Sequence, residues 1–320
     1  MSGLFMSGSL STSIRKSAGL LAVLVLLVLV FGFSLDRFLT LATLRSVLNQ
    51  IPAITFASVG MTFVLLTGGI DLSVGSVLAL TSAAVGVMMG TWKWPFIATI
   101  PVAMMIGAAC GSLNGAVTVA ARIPSFIVTL GMLQVARGVA LLSTQSRPIF
   151  IGKSVEGLAA PLPGIGISIA FLLSISFVIL GHLILRQSVF GRYCTALGSN
   201  EQALKMSGVD ARWIRLIVFL LSGVCASVAG LIETSRLSTG SPGEARGFEL
   251  LAIASAVIGG TSLSGGRGSV VSTFFGVLII TVLQQGLAHA GAGEGTKYVI
   301  TGAVTVLAVC LDSWRSRQSA

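Results

Sequence analysis

The chain has 320 residues, of which 54% are hydrophobic and only 9% are charged, and its formal net charge is +10. An average soluble domain is about 25% charged, so this composition excludes an ordinary water-soluble protein. The apolar runs are near-continuous and ~17–24 residues long, which predicts membrane-spanning helices rather than the short alternating strands of a barrel. We expect an all-α integral membrane protein whose positive charge faces anionic membrane lipid and not nucleic acid.

Ten spans are predicted along the chain, and together they form a polytopic helical bundle. They run near residues 18–34, 47–67, 74–91, 96–119, 125–143, 164–185, 214–234, 249–262, 269–288 and 297–312. The span near 249–262 is short for a membrane helix, which suggests a broken or re-entrant segment. The predicted transmembrane domain therefore occupies residues 18–312, between tails at 1–17 and 313–320.

Basic residues set the predicted orientation of the bundle. The longest loop, 186–213, is rich in Lys and Arg, and such loops stay in the cytoplasm. With that loop inside, both termini are predicted to be cytoplasmic. Tight helix packing is also expected, because small residues recur every four positions on two spans: Ala103, Gly107, Gly111 and Gly115 on one, Ser222, Ala226 and Gly230 on the other.

The stretch GGIDLSVG, from Gly68, places an aspartate between two apolar spans. Gly68 and Gly69 suit the end of one helix, and Asp71 suits the N-cap of the next. We expect Asp71 to lie near the cytoplasmic edge, where it need not be buried. Two alternatives stay open: Asp71 contacts a partner protein or a gate, or it takes part in proton or substrate chemistry.

A second stretch, GGTSLSGGRGSV from Gly259, resembles GGIDLSVGSV from Gly68. Two repeated structural halves would explain the likeness, and chance similarity of turns rich in Gly and Ser is the alternative. Ser262 and Ser264 would take the place of the acid. The candidate helix-break or gate residues of the two stretches are Gly68, Gly69, Asp71, Ser73, Gly259 and Gly260.

Within the 186–213 loop, Asn200 is a candidate N-cap for a short helix through Met206, and Gly208 is its candidate stop. A short amphipathic helix beneath the membrane suits attachment to a second protein. A plain connector is the alternative, although helices in compact bundles are mostly joined by 2–8 residues.

Polar residues within spans are candidates for a translocation path: Asn114, Gln134, Arg137 and Gln284. An intramembrane arginine should face protein or water rather than lipid. Glu233 and Glu249 are candidate partners for Arg137. For each of these residues the alternative role is hydrogen bonding between helices.

Motifs for catalysis, metals or nucleotides do not emerge from the sequence. FIGKS, ending at Ser154, resembles the tail of a phosphate-binding loop, but Arg147 stands where the first glycine is needed. The two histidines are far apart, and the four cysteines are scattered without a CxxC pair. We therefore expect no enzyme activity, metal or cofactor on this chain, and any uphill transport must draw energy from an ion gradient or another subunit.

Several motifs in order resemble the permease subunit of bacterial ABC sugar importers of the ribose-permease type, in the branched-chain amino acid/monosaccharide superfamily. The likeness covers roughly residues 45–312 and includes the GGIDLSVG stretch, PSFIVTLGML from Pro124 and GFELLAIASAVIGGTSLSGGRGS from Gly247. In the loop the family pattern A-x-G-x-N-x-x-A-A-x-x-S-G matches, except that Leu204 replaces the second alanine. The matching loop positions include Gly198, Asn200, Ala203, Ser207 and Gly208.

The resemblance implies a half-transporter in the bacterial inner membrane. Two permease subunits, identical or different, would pair, and ATP-binding cassette subunits holding ATP and Mg²⁺ would dock on the five loop residues just named. A periplasmic sugar-binding protein would deliver a monosaccharide. The resemblance leaves the particular sugar open.

Two other functions remain as alternatives at this stage. An ion-coupled secondary transporter should carry carboxylates near mid-span, but Asp71, Glu233, Glu249 and Asp312 are all predicted near span ends. A membrane enzyme or scaffold is the third possibility, and the lack of paired acids, metal ligands or a nucleophile counts against an enzyme.

Overall fold

A computed structural model describes the backbone of residues 4–318 and the side chains of residues 18–152, 155, 157–307 and 310. Within that part the chain forms helices almost throughout. They are α1 (Leu4–Ser34), α2 (Leu41–Leu66), α3 (Val74–Gly86), α4 (Phe96–Ala121), α5 (Ser125–Ser143), α6 (Ile169–Gln187), α7 (Val189–Ser199), α8 (Glu201–Met206), α9 (Ala211–Leu237), α10 (Phe248–Ile258), α11 (Val270–His289) and α12 (Glu294–Gln318). A π-helical turn, Val87–Thr91, extends α3, and a 3₁₀ segment covers Lys153–Leu158.

Seven helical segments in the described part are long and apolar enough to cross a membrane. They are α2, α3 with its π-helical extension, α4, α5, α6, α9 and α11. Two shorter apolar stretches, Ala18–Ser34 and Phe248–Ile258, add to them. The predicted helical, multi-spanning class is confirmed, whereas the count of ten crossings stays a prediction.

The centre of the bundle is built from α2, α3 and α9. In its most apolar 18-residue window, 83% of α2 is buried inside the protein, against 17% for α5. Several helices begin where a side chain satisfies a free backbone amide. Thr40 caps α2 by accepting from the amide of Thr43, and Ser269 caps α11 by accepting from that of Ser272.

Small residues let α4 and α9 approach closely, as the four-residue spacing predicted. A Cβ atom added to Gly107 would overlap the carbonyl oxygen of Gly223, and one added to Gly111 would overlap that of Phe219. Such contact between backbones replaces the hydrophobic driving force that lipid does not supply.

Between α9 and α10 the chain is not helical. A two-residue strand β2 (Thr239–Gly240) pairs antiparallel with β1 (Ile149–Phe150), and turns follow as far as residue 247. The helix α10 has only 11 residues. The short span predicted near 249–262 is therefore a half-length helix that follows a non-helical segment.

Candidate functional site

A short helix, α8, lies at one end of the bundle, which we call the α8 end. At this end four helices finish, namely α2, α4, α6 and α10, and four begin, namely α3, α5, α9 and α11. Asn200 caps α8, since its Oδ1 accepts from the amide of Ala203 at 2.9 Å. Gly208 stops it with a φ of +83°, and its amide donates to the carbonyl of Lys205 at 3.0 Å. Both local predictions are confirmed, and each follows from residue chemistry that needs no distant partner.

The inner side of α8 is anchored to the bundle by one apolar and one ionic contact. Leu204, which departs from the family pattern, is 6% exposed and packs into the core. Glu201 accepts from both terminal nitrogens of Arg215, at 3.2 and 2.6 Å, and pairs with Lys205 at 2.8 Å. The hydrogen bonds from Arg215, followed by those from Lys205, lower the pKa of the Glu201 carboxyl. Because Arg215 lies on α9, the ion pair links α8 directly to a central helix.

The outer side of α8 and the turn after it are exposed. This surface carries Gln202, Ala203, Met206, Ser207 and Gly208. Met206, the last residue of α8, is 90% exposed. An anchored helix with one free face is suited to binding another protein.

Three glycine-containing turns meet beneath α8. A Cβ atom on Gly198, in the last turn of α7, would overlap the carbonyl oxygen of Leu66 at the end of α2. A Cβ atom on Gly265 would lie 2.9 Å from both the Cα of Gly198 and the amide nitrogen of Gly68. The amide of Gly266 also donates to Leu66 at 2.9 Å. The loop motif and both repeated turns, which are far apart in sequence, thus form one contact.

The two repeated turns end their helices in the same way. Gly68 donates to the carbonyl of Leu65 at 2.9 Å, and Gly260 donates to that of Val257 at 2.7 Å. In each turn the next residue donates to the carbonyl five positions back, and the glycine has a φ of +75° or +83°. This is the Schellman arrangement. Gly260, and not Gly259 with its φ of −65°, is the counterpart of Gly68.

Asp71 is buried, at 1% exposure, although its expected position near the membrane edge did not require burial, and the prediction that it caps α3 was wrong. The N-cap of α3 is Ser73, and Asp71 accepts from its amide at 3.0 Å and its hydroxyl at 2.6 Å. Ser222 on α9 donates to the other carboxylate oxygen at 2.7 Å. In the second turn the hydroxyl of Ser262 accepts from the amide of Ser264 at 3.3 Å, which is the same local bond without the charge.

Asn114 extends this buried group rather than lying apart from it. Its Nδ2 donates to the hydroxyl of Ser73 at 2.9 Å, and the residue is 1% exposed. Hydroxyl and amide donors satisfy the buried carboxylate. The group, formed by Asp71, Ser73, Asn114 and Ser222, ties the α2–α3 turn to α4 and α9.

The first turn of α5 also holds the α2–α3 turn, which the sequence analysis missed. The hydroxyl of Ser125 accepts from the amide of Ile70 at 3.0 Å, and that of Thr129 accepts from the amide of Leu72 at 3.0 Å. Hydroxyls four residues apart lie on one helix face. The four-residue spacing of Ser125 and Thr129 within PSFIVTLGML indicates a polar helix face, but it does not reveal which turn that face contacts.

A cleft of about 940 Å³ opens beside α8. It lies between the α2–α3 turn, the α4–α5 turn and the start of α9, and it is rich in charge. Its charged lining residues are Arg122, Lys205, Arg212, Arg215, Glu201 and Asp210. The contribution of the α4–α5 turn, with Arg122, was not foreseen. In the described part of the chain, no three His, Cys, Asp or Glu side chains are grouped in a way that could hold a metal ion.

The structure does not bring the four candidate path residues together. Asn114 is part of the buried group around Asp71, Gln134 is exposed on α5, and Gln284 is half-buried on α11. Arg137 donates to the backbone carbonyls of Pro242 at 3.2 Å and Glu244 at 2.7 Å.

The partner of Arg137 is therefore neither of the two carboxylates considered. Glu233 forms an ion pair with Arg236 on its own helix. The carbonyls of the segment before α10 need a donor because no helix satisfies them, and Arg137 supplies it.

Sequence comparison with known proteins shows that this chain is similar to membrane transport components. Residues 43–309 match a family described as the branched-chain amino acid transport system permease component. The ribose import permease protein RbsC of Escherichia coli (strain K12) is 37% identical over 307 residues, which cover 94% of each chain. The D-allose transport system permease protein AlsC of the same organism is 35% identical over 297 residues, covering 92% of this chain and 90% of the relative.

A more distant relative covers the chain almost as fully. The fructose import permease protein FrcC of Rhizobium meliloti is 31% identical over 304 residues, covering 92% of this chain and 84% of its own. No solved structure was found to match.

Proposed function

The chain belongs to the branched-chain amino acid transport system permease component family, and from that premise we propose that it carries a monosaccharide across the bacterial inner membrane. It is a permease subunit of an ABC importer and a transport component rather than an enzyme. The relatives import ribose, D-allose and fructose by name, which supports a pentose or hexose as the substrate.

The proposed topology has ten crossings. Successive helices end and begin alternately at the α8 end of the bundle, and the segment between α9 and α10 together with α10 completes one crossing. Counting α1 and α12 as crossings brings both termini to the α8 end. The basic loop that contains α8 supports a cytoplasmic position for this end.

We propose that an ATP-binding cassette subunit docks on the exposed side of α8, with ATP and Mg²⁺ held by that partner. The observation that carries this proposal is the meeting of the two repeated turns with the end of α7, directly beneath α8. Movement of α8 would reach α9 through the Glu201–Arg215 pair and would reach α2 and α11 through Gly198. Since each contact is backbone against backbone or a paired charge, the helix would act as a rigid lever.

A second permease subunit is proposed to cover the outer face of α5. This helix is the least buried of the seven candidate spans in the described chain, and it exposes the amide side chain of Gln134. An amide facing hydrocarbon without a hydrogen-bond partner costs several kcal/mol on transfer scales, roughly 2–7. A neighbouring subunit or a solute path would remove that cost. A periplasmic sugar-binding protein is the proposed source of the solute.

Substitution of Ser207 by arginine tests docking on α8. Ser207 is exposed and its hydroxyl bonds only within its own turn, so the variant should fold and insert while the larger side chain blocks the contact. We expect loss of the ATPase subunit that co-purifies with the wild-type chain, together with loss of sugar-stimulated ATP hydrolysis. Thr296→Arg, an equivalent change at an exposed hydroxyl in the first turn of α12, is the control and should keep both.

Uptake in proteoliposomes separates this function from ion-coupled transport. Liposomes that contain the chain, its ATPase and the binding protein should accumulate labelled ribose, allose or fructose only when ATP is supplied. Accumulation by the chain alone under a proton or sodium gradient would refute the proposal and favour a secondary transporter.

A further inference from the structure

The crossing made of β2, the turns after it and α10 is broken near its middle. At 1.5 Å per residue, the 11 residues of α10 span about 16 Å, roughly half of a 30 Å hydrocarbon core. The other half consists of residues 239–247, whose backbone is not helical. The membrane placement used here rests on the proposed function.

Contacts with α3 fix the depth of this non-helical half. The amide of Ser241 donates to the hydroxyl of Ser82 at 3.1 Å. Further along, the carbonyl oxygen of Ala245 lies against Gly75, where an added Cβ atom would be only 2.8 Å away. The segment therefore descends along α3 from the level of Ser82 to that of Gly75, inside the span of that helix.

Contacts with α5 give the depth of the middle of the segment. Arg137, which holds the carbonyls of Pro242 and Glu244, is the thirteenth residue of α5. At 1.5 Å per residue it lies about 18 Å from the α8 end of that helix. The contacts with α5 place the carbonyls of Pro242 and Glu244 near the middle of the membrane, and those with α3 run from mid-helix at Ser82 to the first turn at Gly75.

Two residues of this segment are exposed at that depth. They are Gly243, beside which a Cβ atom would meet nothing within 4 Å, and Arg246, whose side chain is charged. Glu244 between them is half-buried, whereas Oε2 of Glu249 is buried against Gly75 of α3. Irregular backbone and an exposed charge are tolerated at mid-membrane only where they face protein or a water-filled cavity.

We infer that residues 241–247 line a water-filled solute path, and that Glu244 and Arg246 offer hydrogen bonds to the hydroxyl groups of a sugar passing through it. Guanidinium and carboxylate groups are the strong donors and acceptors among side chains. A hydroxyl-rich solute exchanges hydrogen bonds with water for bonds with these groups. The segment is thus the polar half of a crossing whose other half is the apolar helix α10, and Arg137 holds it in place.

Reaction with a charged, membrane-impermeant methanethiosulfonate tests whether water reaches the segment. The cysteine thiolate, which forms in water and not in lipid, attacks the sulfur of such a reagent and displaces its sulfinate group, which leaves a mixed disulfide. Gly243→Cys and Arg246→Cys are each made in the full chain carrying Cys310→Ala, which removes the exposed native thiol. Cys110, Cys194 and Cys225 are kept because they are buried. Ile179→Cys, on an exposed face midway along α6, is the matched control at similar depth.

We expect both segment cysteines to react at least tenfold faster than the Ile179 control, and ribose, allose or fructose at high concentration to slow the reaction. Rates equal to the control would overturn the inference. If the cysteines react fast but none of the sugars slows the reaction, the aqueous path is supported and the hydroxyl-binding role is refuted. ATP-driven sugar uptake by the Cys310→Ala parent chain, measured in parallel, reports on the proposed function separately.

Discussion

Replacing Ser222 by alanine removes the hydroxyl that donates to Asp71 across the α3–α9 contact at 2.7 Å. Among the described hydrogen bonds, that oxygen of the carboxylate has no other donor, and at 1% exposure water has no access to it. A hydrogen bond to a charged group contributes about 1.5–3 kcal/mol. At roughly 2–4 °C per kcal/mol, the apparent Tm should fall by about 3–12 °C.

Thermal unfolding of the purified chain in detergent, followed by circular dichroism at one fixed scan rate, measures this loss. The fixed rate matters because unfolding of a membrane protein in detergent is rarely reversible. Ser227→Ala on the same helix is the matched control. Ser227 is equally buried, but its hydroxyl donates to the carbonyl of Val224 within α9 at 2.8 Å. Its removal leaves no charged group without a partner, so the loss should stay below about 1 kcal/mol.

A double-mutant cycle with Asp71→Asn separates the bond from other effects of the serine. In the Asp71→Asn background no charge depends on the serine hydroxyl, so Ser222→Ala should lower the apparent Tm much less than it does in the native chain. Equal losses in both backgrounds, or a loss no larger than that of Ser227→Ala, would refute the role assigned to this bond.

Three further changes test the α8 end and the broken crossing. Glu201→Gln should lower the apparent Tm near pH 7, and this effect should shrink as the pH falls below 4.5. The pKa of Glu201 in the folded protein lies below its ordinary 4.5, so the stabilisation is complete above the unfolded-state pKa and is lost as the pH falls through the folded-state pKa. A pH-independent difference would show that the Arg215 pair is not its source. Gly198→Leu should abolish correct assembly, measured as yield of monodisperse protein, whereas Gly302→Leu, in open space on α12, should not. Equal yields would contradict the close contact. Arg137→Ala should reduce sugar uptake at least tenfold and raise protease sensitivity between α9 and α10, and wild-type values of both would show that Arg137 does not hold that segment.

Features that depend on neighbouring residues were predictable from the sequence. The cap at Asn200, the stop at Gly208 and the helix end at Gly68 each follow from one residue type and the backbone within five positions. The broken crossing was predicted from the short length of its apolar run alone. These predictions held because the bonds involved close within a single turn.

The environment of Asp71 was not predictable in the same way. A cap residue looks the same in sequence whether the turn faces water or another helix. Its burial is decided by Ser222, 151 positions away, and by Asn114, 43 positions away in sequence. The same holds for Arg137, whose partners are carbonyls of residues 242 and 244 rather than either nearby carboxylate.

The sequence by itself determined that this chain is a membrane protein, that its spans are helices and where most of the turns lie. These features follow from hydropathy and helix capping, which depend only on residues close together in sequence. Only the tertiary structure decided which turns touch, which polar groups lose water, and that the segment before α10 lies at mid-depth beside α3 and α5. Those outcomes depend on contacts between segments that are from about forty to more than a hundred and fifty residues apart, and no local sequence pattern specifies which distant surfaces pair.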